Sequence, residues 1–417
     1  MISPSPAGNR ESADSDRALA AAFDPRHPTD AFYADPYPTY HALRRHDPVH
    51  RCPDGSYFLT RHADLHRVYR DPKTFSSDKK KQFRPMFGDS LLYEHHTTSL
   101  VFNDPPLHTH VRKAIGGALS QKMIVAMEPA VRQLVERLLE ELEDRRQFDF
   151  MREFAGIIPV EVIGNLLRIP RADRGRLQRW AAAILGALEF DLPKEKFDLG
   201  NQCVAEFLDY LKELVADRRR NLSDDEDDVL SRMIRWESEG FRLSDQQLYH
   251  QCIFMLNAGH ETTTNLIGNG THALLTHPDQ LQRLRREPGL INSAVEEFLR
   301  YESPVQLGNR WTTAPVEFDG VEIAANTTLT LAIGGANRDP AAYPEPDRLD
   351  IARSPRDHVA FAAVIHTCAG LNVARLEARI AIPAILERFA KLRLNGPPAR
   401  DRRARFRGFK SLPMAIE

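Results

Sequence analysis

The sequence predicts a mainly α-helical fold with small β-sheets, built as a single large domain. Between Ser120 and Gln251 the apolar residues recur with helical period almost throughout. After Pro304 the pattern changes to short alternating or apolar runs, which are typical of strands. No internal repeat or low-complexity linker divides the 417 residues, so one large domain is the most economical interpretation.

The N-terminal segment is predicted to be a disordered tail. Residues 1–20 are rich in Ser, Pro and Ala near their start. They contain no apolar core of the length that a signal peptide needs. The folded domain is therefore expected to comprise residues 21–417.

Short elements are predicted at the start of the domain. Residues 38–46 indicate a short helix, and residues 49–60 indicate two strands that turn at positions 53–55. Residues 78–103 are predicted to be irregular, although they hold more aromatic and aliphatic residues than an ordinary surface loop. The next helix is expected to open at residues 105–106, because proline is well tolerated in the first turn of a helix.

Helices are predicted to dominate the middle of the chain. The helical pattern is convincing over four segments, which are residues 127–142, 160–167, 177–188 and 204–220. An acidic run at residues 223–228 predicts a loop. A long, weakly charged helix is then expected over residues 248–275, and a further helix contains Glu297 and Arg300.

Strands are predicted in the last third of the chain. Apolar residues between 316 and 323 flank Asp319 and Gly320, and an Asp-Gly pair is a strong hairpin signal. Residues 327–333 alternate or run apolar, which indicates another strand.

The composition argues against several classes of partner. The chain has 56 Lys and Arg against 58 Asp and Glu, so its net charge of -2 suggests neither nucleic acid nor an anionic membrane. No window approaches about 18 continuous apolar residues, so no membrane-spanning helix is expected. The scattered cysteines show no metal-ligand or disulfide spacing, which fits a reducing cytoplasm; they are Cys52, Cys203, Cys252 and Cys368.

The most informative stretch surrounds a single cysteine, Cys368. An apolar run leads to it, Gly370 follows, and a segment with helical period begins at Leu371. A cysteine at the start of a helix lies near unpaired N–H groups and the positive end of the helix dipole, which favour a thiolate. Such a thiolate can be an axial ligand to iron. The alternative is a buried structural cysteine, which is the commoner role of a lone cysteine.

Residues 258–264 form an unusual stretch inside the long helix. A glycine and three threonines are poor helix formers, because β-branched side chains lose rotamer freedom and hydroxyls compete for backbone carbonyls. A local rule broken inside a long helix indicates a functional site. The alternative is that the threonines only hydrogen-bond to the preceding turn.

Two pairs of side chains have helical spacing. His108 and Arg112 are four residues apart and therefore lie on one face of their helix. Glu297 and Arg300 are three residues apart on theirs. Taken alone, pairs of this kind are usually exposed and contribute little to stability.

In the order and spacing of these motifs the sequence resembles the cytochromes P-450, from about residue 24 to its end. The haem loop of that family reads Phe, two residues, Gly, three residues, Cys, one residue, Gly. Six residues fall where the family has them: Phe361, His366, Cys368, Gly370, Ala374 and Arg375. The family usually has glycine in place of Ala362, and almost always in place of Val364. A β-branched residue avoids the backbone angles that glycine admits, at a cost of roughly 1–3 kcal/mol, so we expect this loop to follow a different path.

The resemblance implies a haem-thiolate monooxygenase that inserts one oxygen atom from O2 into a hydrophobic small molecule. Cys368 would ligate the iron of haem b and push electron density onto it, so that the O–O bond cleaves. Contacts to the haem propionates or rim are implied for four side chains, which are His108, Arg112, Arg310 and His366, and a haem contact is also implied for Gly370.

The other motifs take the roles that the family gives them. Ala258 and Gly259 would lie against the haem, where Gly259 opens a groove for dioxygen. Thr262 would supply a hydroxyl to the oxygen, and Glu261 would be the acid of the proton relay. Glu297 and Arg300 match a structural pair that is buried beneath the haem loop in this family.

Partners and location also follow from the resemblance. The chain has no flavin or iron–sulfur motif, so electrons are expected from a ferredoxin or a flavodoxin that docks on the cysteine side. Four residues would form the positive patch for it: Arg112, Lys113, Arg375 and Arg379. The resemblance is to the bacterial members without an anchor, so a cytoplasmic monomer is expected. The substrate pocket would be mostly apolar, with walls at residues 83–100, 185–190, 256–258 and 305–307 and at Leu412.

Two other functions fit the same fold. The altered loop before Cys368 favours a non-catalytic binding or scaffold module, but such a module has no need of Thr262, Arg112 and Arg310. A haem enzyme that uses peroxide or isomerises its substrate would normally lack the acid–alcohol pair, which this sequence has.

Overall fold

The structure is a computed structural model that describes residues 6–190, 192–223, 228–238 and 240–416. It confirms a mainly helical fold with small sheets. The described α-helices are α1 (Pro6–Ala21), α2 (Asp30–Ala34), α3 (Tyr37–His46), α4 (His62–Arg70), α5 (Lys80–Phe87), α6 (Leu91–Thr98), α7 (Leu107–Ala118), α8 (Gln121–Glu143), α9 (Ile157–Leu166), α10 (Leu177–Gly186), α11 (Lys194–Arg220), α12 (Val229–Arg235), α13 (Asp245–Thr276), α14 (Pro278–Arg286), α15 (Ile291–Tyr301), α16 (Ile333–Ala336) and α17 (Leu371–Arg388).

The strands that the structure describes are short. They are β1 (Val49–Arg51), β2 (Tyr57–Leu59), β3 (Phe75–Ser76), β4 (Gln147–Asp149), β5 (Glu237–Ser238), β6 (Phe241–Arg242), β7 (Leu307–Thr312), β8 (Val316–Phe318), β9 (Val321–Ile323), β10 (Thr328–Ala332), β11 (Arg393–Leu394), β12 (Ala399–Arg400), β13 (Phe409–Ser411) and β14 (Pro413–Ala415). The predicted strand pair β1–β2 and the predicted hairpin β8–β9 are both antiparallel, as expected.

The chain divides into two compact units. The first unit comprises Met1–Ser76, Glu296–Thr367 and Arg400–Arg407. Its five-stranded sheet has the strand order β1-β2-β10-β7-β3, in which β10 runs parallel to β2 and antiparallel to β7. Apolar residues of this sheet and of α4 form its core; they include Val49, Leu59, Leu65, Phe75, Leu329 and Leu331.

The second unit is mainly helical and comprises Ser77–Val295, Cys368–Ala399 and Gly408–Glu417. Its longest element is α13, which packs against α9, α10, α11 and α17. The helix starts with a capping box, because Ser244 accepts a hydrogen bond from the Gln247 N–H and the Gln247 side chain accepts one from the Ser244 N–H. The small sheet of this unit has the order β11-β14-β4.

Residues 78–103 contain two α-helices, so the prediction of irregular structure was wrong. Ser90 begins α6 by accepting a hydrogen bond from the Tyr93 N–H, 3.2 Å away. Phe83, Phe87 and Leu92 are buried, which explains why this segment holds so many apolar residues. Tertiary burial stabilises both helices, each of which is only eight residues long.

Helix α1 lies in the segment that was predicted to be a disordered tail. It packs against α3, Ala20 is buried, and the Asp16 carboxylate lies 2.5 Å from the Arg45 guanidinium. The composition of the segment did not indicate these contacts. Two parts of the predictions lie outside the described residues, namely residues 1–5 of the tail and residues 224–227 of the acidic loop.

Hydropathy along the helices gives a separate finding. Among the helices that the structure describes, none combines the length and the apolar character needed to cross a membrane.

Candidate active site

Cys368 immediately precedes α17, whose N-cap is Gly370. Its side chain is half-buried, and burial raises the pKa of the thiol. A hydrogen bond from the Gly370 N–H and the positive charges of Arg112 and Arg375 act in the opposite direction and lower that pKa. The predicted position at a helix start is therefore observed, but burial opposes the predicted thiolate. A metal bound here would displace the thiol proton.

The loop before the cysteine has an unusual backbone. Ala362 has φ 54° and Val364 has φ 57°, so both residues adopt the left-handed conformation that favours glycine. These are the two positions where a glycine was expected. The prediction of a different path is therefore wrong, because the chain keeps the glycine-type backbone angles with side chains that disfavour them. The cost is roughly 1–3 kcal/mol for each such residue.

The middle of α13 is open on one side. Between residues 247 and 275, all of which the structure describes, Ala258 is the single exposed residue. Gly259, Glu261 and Thr262 beside it are half-buried, whereas His260 is buried. This turn therefore offers an acid and a hydroxyl at an accessible point of an otherwise buried helix.

Gly259 permits a close approach between helices. A Cβ atom at this position would lie 2.9 Å from the Ile163 side chain of α9, which is too near for a real contact. The missing side chain therefore lets α9 pack against α13 at the open turn.

The threonines of α13 also bond to their own helix. Thr262 Oγ1 donates a hydrogen bond to the Ala258 carbonyl oxygen at 2.6 Å, and Thr264 Oγ1 donates one to the His260 carbonyl oxygen at 2.9 Å. The alternative to a functional role, in which the threonines hydrogen-bond to the preceding turn of their own helix, is thus observed. Of these two threonines, Thr262 is half-buried and Thr264 is buried.

Helix α7 brings a cation near the cysteine. His108 is buried and Arg112 is half-buried on this helix. Burial lowers the pKa of the Arg112 guanidinium, while the charge of Cys368 raises it. Arg112 of α7 and Cys368 before α17 therefore interact electrostatically within the second unit.

Arg310 and His366 belong to the first unit. Arg310 lies on β7, where it is buried; its Nη1 donates to the Asn309 carbonyl oxygen at 2.7 Å, and its guanidinium carbon lies 5.3 Å from the centre of the Tyr69 ring. His366 is half-buried and ends a short 3-10 turn that begins at Val364.

Glu297 and Arg300 form a fully buried ion pair, with both side chains 0% exposed. Arg300 Nε donates to Glu297 Oε2 at 2.7 Å, and Arg300 Nη2 donates to Glu297 Oε1 at 2.8 Å. The remaining guanidinium N–H groups reach the carbonyl oxygens of Asn337 and Pro346 at 2.9 and 2.8 Å. Every charge in the pair is thus compensated, which is the condition under which a buried ion pair is tolerated.

These residues fit a haem. Cys368 offers a soft sulfur ligand at a helix start, flanked by the charges of Arg112 and Arg375, and guanidinium groups suit carboxylates such as propionates. Helix α17, which follows the cysteine, packs against α13, which carries the open turn at Ala258. The second unit therefore combines a candidate sulfur ligand, a cation and the acid–alcohol pair.

Comparison with known proteins decides the family. The model of the cytochrome P450 family matches residues 179–409. The vitamin D(3) 25-hydroxylase of Pseudonocardia autotrophica is 40% identical over 356 residues, which cover 84% of this chain and 85% of that protein. This chain belongs to the cytochrome P450 family. The 6-deoxyerythronolide B hydroxylase of Saccharopolyspora erythraea is 35% identical over 408 residues, covering 93% and 98% of the two chains. The crystal structure of CalO2, at 34% identity, covers 95% of this chain with a TM-score of 0.88.

Membership confirms several predictions. The fold is the cytochrome P450 fold, the protein is a cytochrome P450 monooxygenase, and its cofactor is a haem whose iron is ligated by a cysteine thiolate. The roles of the individual side chains stay predictions.

The structure also brings together residues that the sequence analysis did not single out. His95 and His96 of α6 meet His250 and Asn257 of α13, and all four side chains are buried. Adjacent histidines in a segment rich in apolar residues were a signal that could have drawn attention to α6. Their partners on α13 could not be deduced, because they lie more than 150 residues away along the chain.

Proposed function

We propose that this cytochrome P450 uses Cys368 as its iron ligand and inserts one oxygen atom from O2 into a hydrophobic small molecule. The observation that carries the proposal is the packing of α17, which Cys368 precedes, against α13, which exposes its acid–alcohol turn. Two relatives are named as hydroxylases, which supports the same type of reaction.

Side chains and backbone groups at the positions predicted from the sequence would hold the haem. Cys368 ligates the iron, with Gly370 N–H donating to its sulfur. His108, Arg112, Arg310 and His366 would contact the propionates or the haem rim, and Ala258 and Gly259 would lie against the haem. When bound, the haem supplies the electron transfer and the oxygen chemistry.

Thr262 and Glu261 would relay protons into the site. The Thr262 hydroxyl hydrogen is engaged with the Ala258 carbonyl oxygen, while the lone pairs of Oγ1 can still accept a hydrogen bond. Glu261 is the next residue toward the N-terminus and is half-buried, so it can exchange protons with solvent and with the site. Such a relay requires the Thr262 hydroxyl to turn away from the Ala258 carbonyl oxygen and toward the site.

The substrate is a hydrophobic small molecule. Pocket walls proposed within the second unit are mostly apolar, and Leu92, Leu185, Leu256 and Leu412 in them are buried. Two relatives are named for vitamin D(3) and 6-deoxyerythronolide B, which supports a substrate of substantial size.

Electrons come from a ferredoxin or a flavodoxin. We define the basic patch as Arg112, Lys113, Arg375 and Arg379. Lys113 is exposed and the other three are half-buried. Arg379 Nη1 donates to the Asn292 side-chain oxygen at 3.1 Å, which fixes the position of its charge. An acidic partner would be attracted to this patch.

Spectroscopy of the purified protein tests the proposal. The protein should carry haem b, and carbon monoxide added to the reduced protein should give the red-shifted Soret band of thiolate ligation. Cys368→His is expected to abolish that band, whereas Cys203→Ser, at a buried cysteine of α11, should keep it. A spectrum of histidine-ligated haem in the unaltered protein would overturn the assignment of Cys368.

A further inference from the structure

Three histidines and one asparagine meet between α6 and α13. His95 and His96 lie on α6, while His250 and Asn257 lie on α13, and none of these side chains is more than 3% exposed. The His95 ring centre lies 5.1 Å from that of His96 and 5.6 Å from that of His250. We call these four residues the histidine cluster.

Several polar atoms of the histidine cluster lack a hydrogen-bond partner among the described residues; they are His95 Nδ1, His96 Nε2, His250 Nδ1 and Asn257 Oδ1. The neighbouring Gln251 is different, because it donates to the Thr98 carbonyl oxygen at 2.7 Å and accepts from the Leu100 N–H at 3.2 Å. Buried polar atoms are nearly always hydrogen-bonded, so several unpaired atoms in one place indicate that a further polar group binds here.

In a neutral imidazole, the hydrogen bond of one ring nitrogen determines whether the other nitrogen is a donor or an acceptor. His250 Nε2 lies 2.6 Å from Glu94 Oε1, so it donates to that carboxylate, and Nδ1 of the neutral ring is left as an acceptor. His95 Nε2 lies 3.2 Å from Asn257 Nδ2 and accepts from it, so His95 Nδ1 carries the proton and is a donor.

The three imidazoles are neutral at pH 7. Burial lowers the pKa of His95 well below its usual value, that of His96 to about 3, and that of His250 in the same direction. Neighbouring histidines lower the first two further, whereas Glu94 opposes the shift at His250.

These atoms favour one ligand chemistry, and His96 Nε2 can take either role because no hydrogen bond given for its ring fixes the tautomer. His95 Nδ1 offers a donor, and His250 Nδ1 with Asn257 Oδ1 offers acceptors. A carboxylate or phosphate needs several donors, and an ammonium needs acceptors alone. The described residues contain no group of three or more His, Cys, Asp or Glu arranged to hold a metal ion. A hydroxyl both donates and accepts, so it matches the histidine cluster.

The position on α13 relates the histidine cluster to the proposed chemistry. His250, Asn257 and Glu261 occupy positions i, i+7 and i+11, so they lie on one face of the helix. At about 1.5 Å per residue, Asn257 lies about 6 Å and His250 about 16 Å before Glu261. A ligand that reaches from the open turn toward the N-terminus of α13 would meet the histidine cluster.

We propose that the histidine cluster is a substrate subsite that binds a hydroxyl group. This hydroxyl lies at the end of the substrate that is remote from the carbon to be oxidised. This inference rests on the proposed function, because the oxidised carbon lies near Thr262. The rest of the ligand is apolar near the subsite, since Phe83, Phe87 and Phe102 surround His96 with ring centres 5.3 to 5.9 Å away. Since the protein atoms are already desolvated, a hydroxyl loses only its own hydration when it binds.

Haem-ligating probes test the subsite without knowledge of the substrate. Two matched series are titrated into the haem-loaded protein: 1-alkylimidazoles of increasing chain length, and the same chains ending in a hydroxyl. Ligation of the iron by imidazole changes the absorption spectrum and reports binding. At the chain length that reaches the histidine cluster, the hydroxyl probe is expected to bind about tenfold more tightly than its methyl counterpart. Shorter hydroxyl probes should bind more weakly, because a hydroxyl in an apolar pocket is desolvated without a partner.

Variants assign the preference to the histidine cluster. His95→Phe and, independently, Asn257→Leu should abolish the tenfold preference while the methyl series still binds. His272→Phe, near the other end of α13, is the matched control and should keep it. Thermal melting and the haem spectrum establish that each variant is folded. Because the two variants lie on different helices, the test still works if one of them does not fold.

The outcomes separate this inference from the proposed function. A hydroxyl series that is weaker at every chain length would overturn the subsite and leave the histidine cluster to bind water alone. A preference that persists in both His95→Phe and Asn257→Leu would also overturn it. The complete absence of an imidazole-induced spectral change would instead count against the haem site itself.

Discussion

Thr262 Oγ1 donates a hydrogen bond to the Ala258 carbonyl oxygen at a distance of 2.6 Å. The same hydroxyl is the group proposed to deliver protons to oxygen. Because a hydroxyl has one hydrogen, these two roles exclude each other at any instant. The side chain must therefore have two states, one bonded to its own helix and one turned toward the site, and the half-exposed position of Thr262 permits both.

Replacement of Thr262 tests the second state. In Thr262→Ala, haem binding and substrate binding should stay intact, but electrons should appear as hydrogen peroxide instead of product. General acid catalysis contributes about 10²–10⁴-fold, so a loss of about 10²-fold in product per electron is expected. The measurement compares peroxide and product with the reductant consumed.

Thr264→Ala is the matched control for this variant. Thr264 makes the same kind of hydrogen bond to its helix, at 2.9 Å, but it is buried. Its removal should leave the ratio of product to electrons unchanged. If Thr262→Ala forms product as efficiently as the unaltered protein, the proton path does not include this hydroxyl.

Val364→Gly should stabilise the fold. The left-handed backbone at Val364 costs roughly 1–3 kcal/mol, and a glycine in its place costs roughly 0.5–1 kcal/mol in chain entropy, so a net gain of about 1 kcal/mol is expected. Chemical denaturation of both proteins measures the free energy of unfolding. Val321→Gly is the control, because Val321 is also exposed but lies in β9 without a positive φ, and there glycine should destabilise. Equal destabilisation by both substitutions would contradict strain at Val364.

Glu297→Gln should destabilise the fold by roughly 3–5 kcal/mol, because it leaves the buried Arg300 guanidinium without its counter-charge. The control is Glu128→Gln on α8, where Arg132 Nη2 lies 2.6 Å from Glu128 Oε1 in a largely exposed pair. That change should cost less than about 0.5 kcal/mol. Unfolding by urea measures both effects, and similar costs for the two variants would rule out a special contribution of burial.

Glu377 gives a pH-dependent prediction. This residue of α17 is buried, its Oε2 has no hydrogen-bond partner among the described residues, and burial raises its pKa well above the usual value. The folded state therefore holds this proton more tightly than the unfolded state does. The resulting stability is complete below the usual pKa of about 4.3 and is lost as the pH rises toward the folded-state pKa, by at most about 1.4 kcal/mol per pH unit.

Glu377→Gln should remove the loss of folding stability that accompanies rising pH. Unfolding by urea across the range from acid to neutral pH should show a flatter profile for the variant, and higher stability than the unaltered protein near neutrality. Glu387→Gln, on the same helix but at an exposed position, should leave the profile unchanged. Identical profiles for Glu377→Gln and the unaltered protein would show that Glu377 is ionised in the fold.

Local patterns in the sequence were sufficient for the elements that carry the proposed chemistry. The period of α13 and the start of α17 after Gly370 could be predicted, because each depends on residues close together in the chain. The helices α5 and α6 could not, because their stability comes from tertiary burial of side chains such as Phe83 and Phe87. At Val364 the cost of a left-handed backbone was predicted, but the sequence did not show that the fold would keep that conformation.

The electron donor gives the last prediction. A positive basic patch mainly raises the rate at which an acidic ferredoxin encounters the protein, and salt screens this attraction. Charge reversal in Lys113→Glu and Arg379→Glu should therefore slow reduction by ferredoxin about tenfold or more at low salt, since electrostatic steering changes association rates by about 10–10³-fold. The difference should shrink as salt is raised, and the haem spectrum should not change.

Lys212→Glu is the matched control, because Lys212 is also exposed but lies on a different helix, α11. It alters the net charge by the same amount as Lys113→Glu, so it should leave the reduction rate nearly unchanged. Stopped-flow reduction across a salt series separates the local effect from the global one. If Lys113→Glu and Arg379→Glu are reduced as fast as Lys212→Glu at every salt concentration, the partner does not dock at the basic patch, and Arg112 and Arg375 act only on the haem and on the Cys368 sulfur.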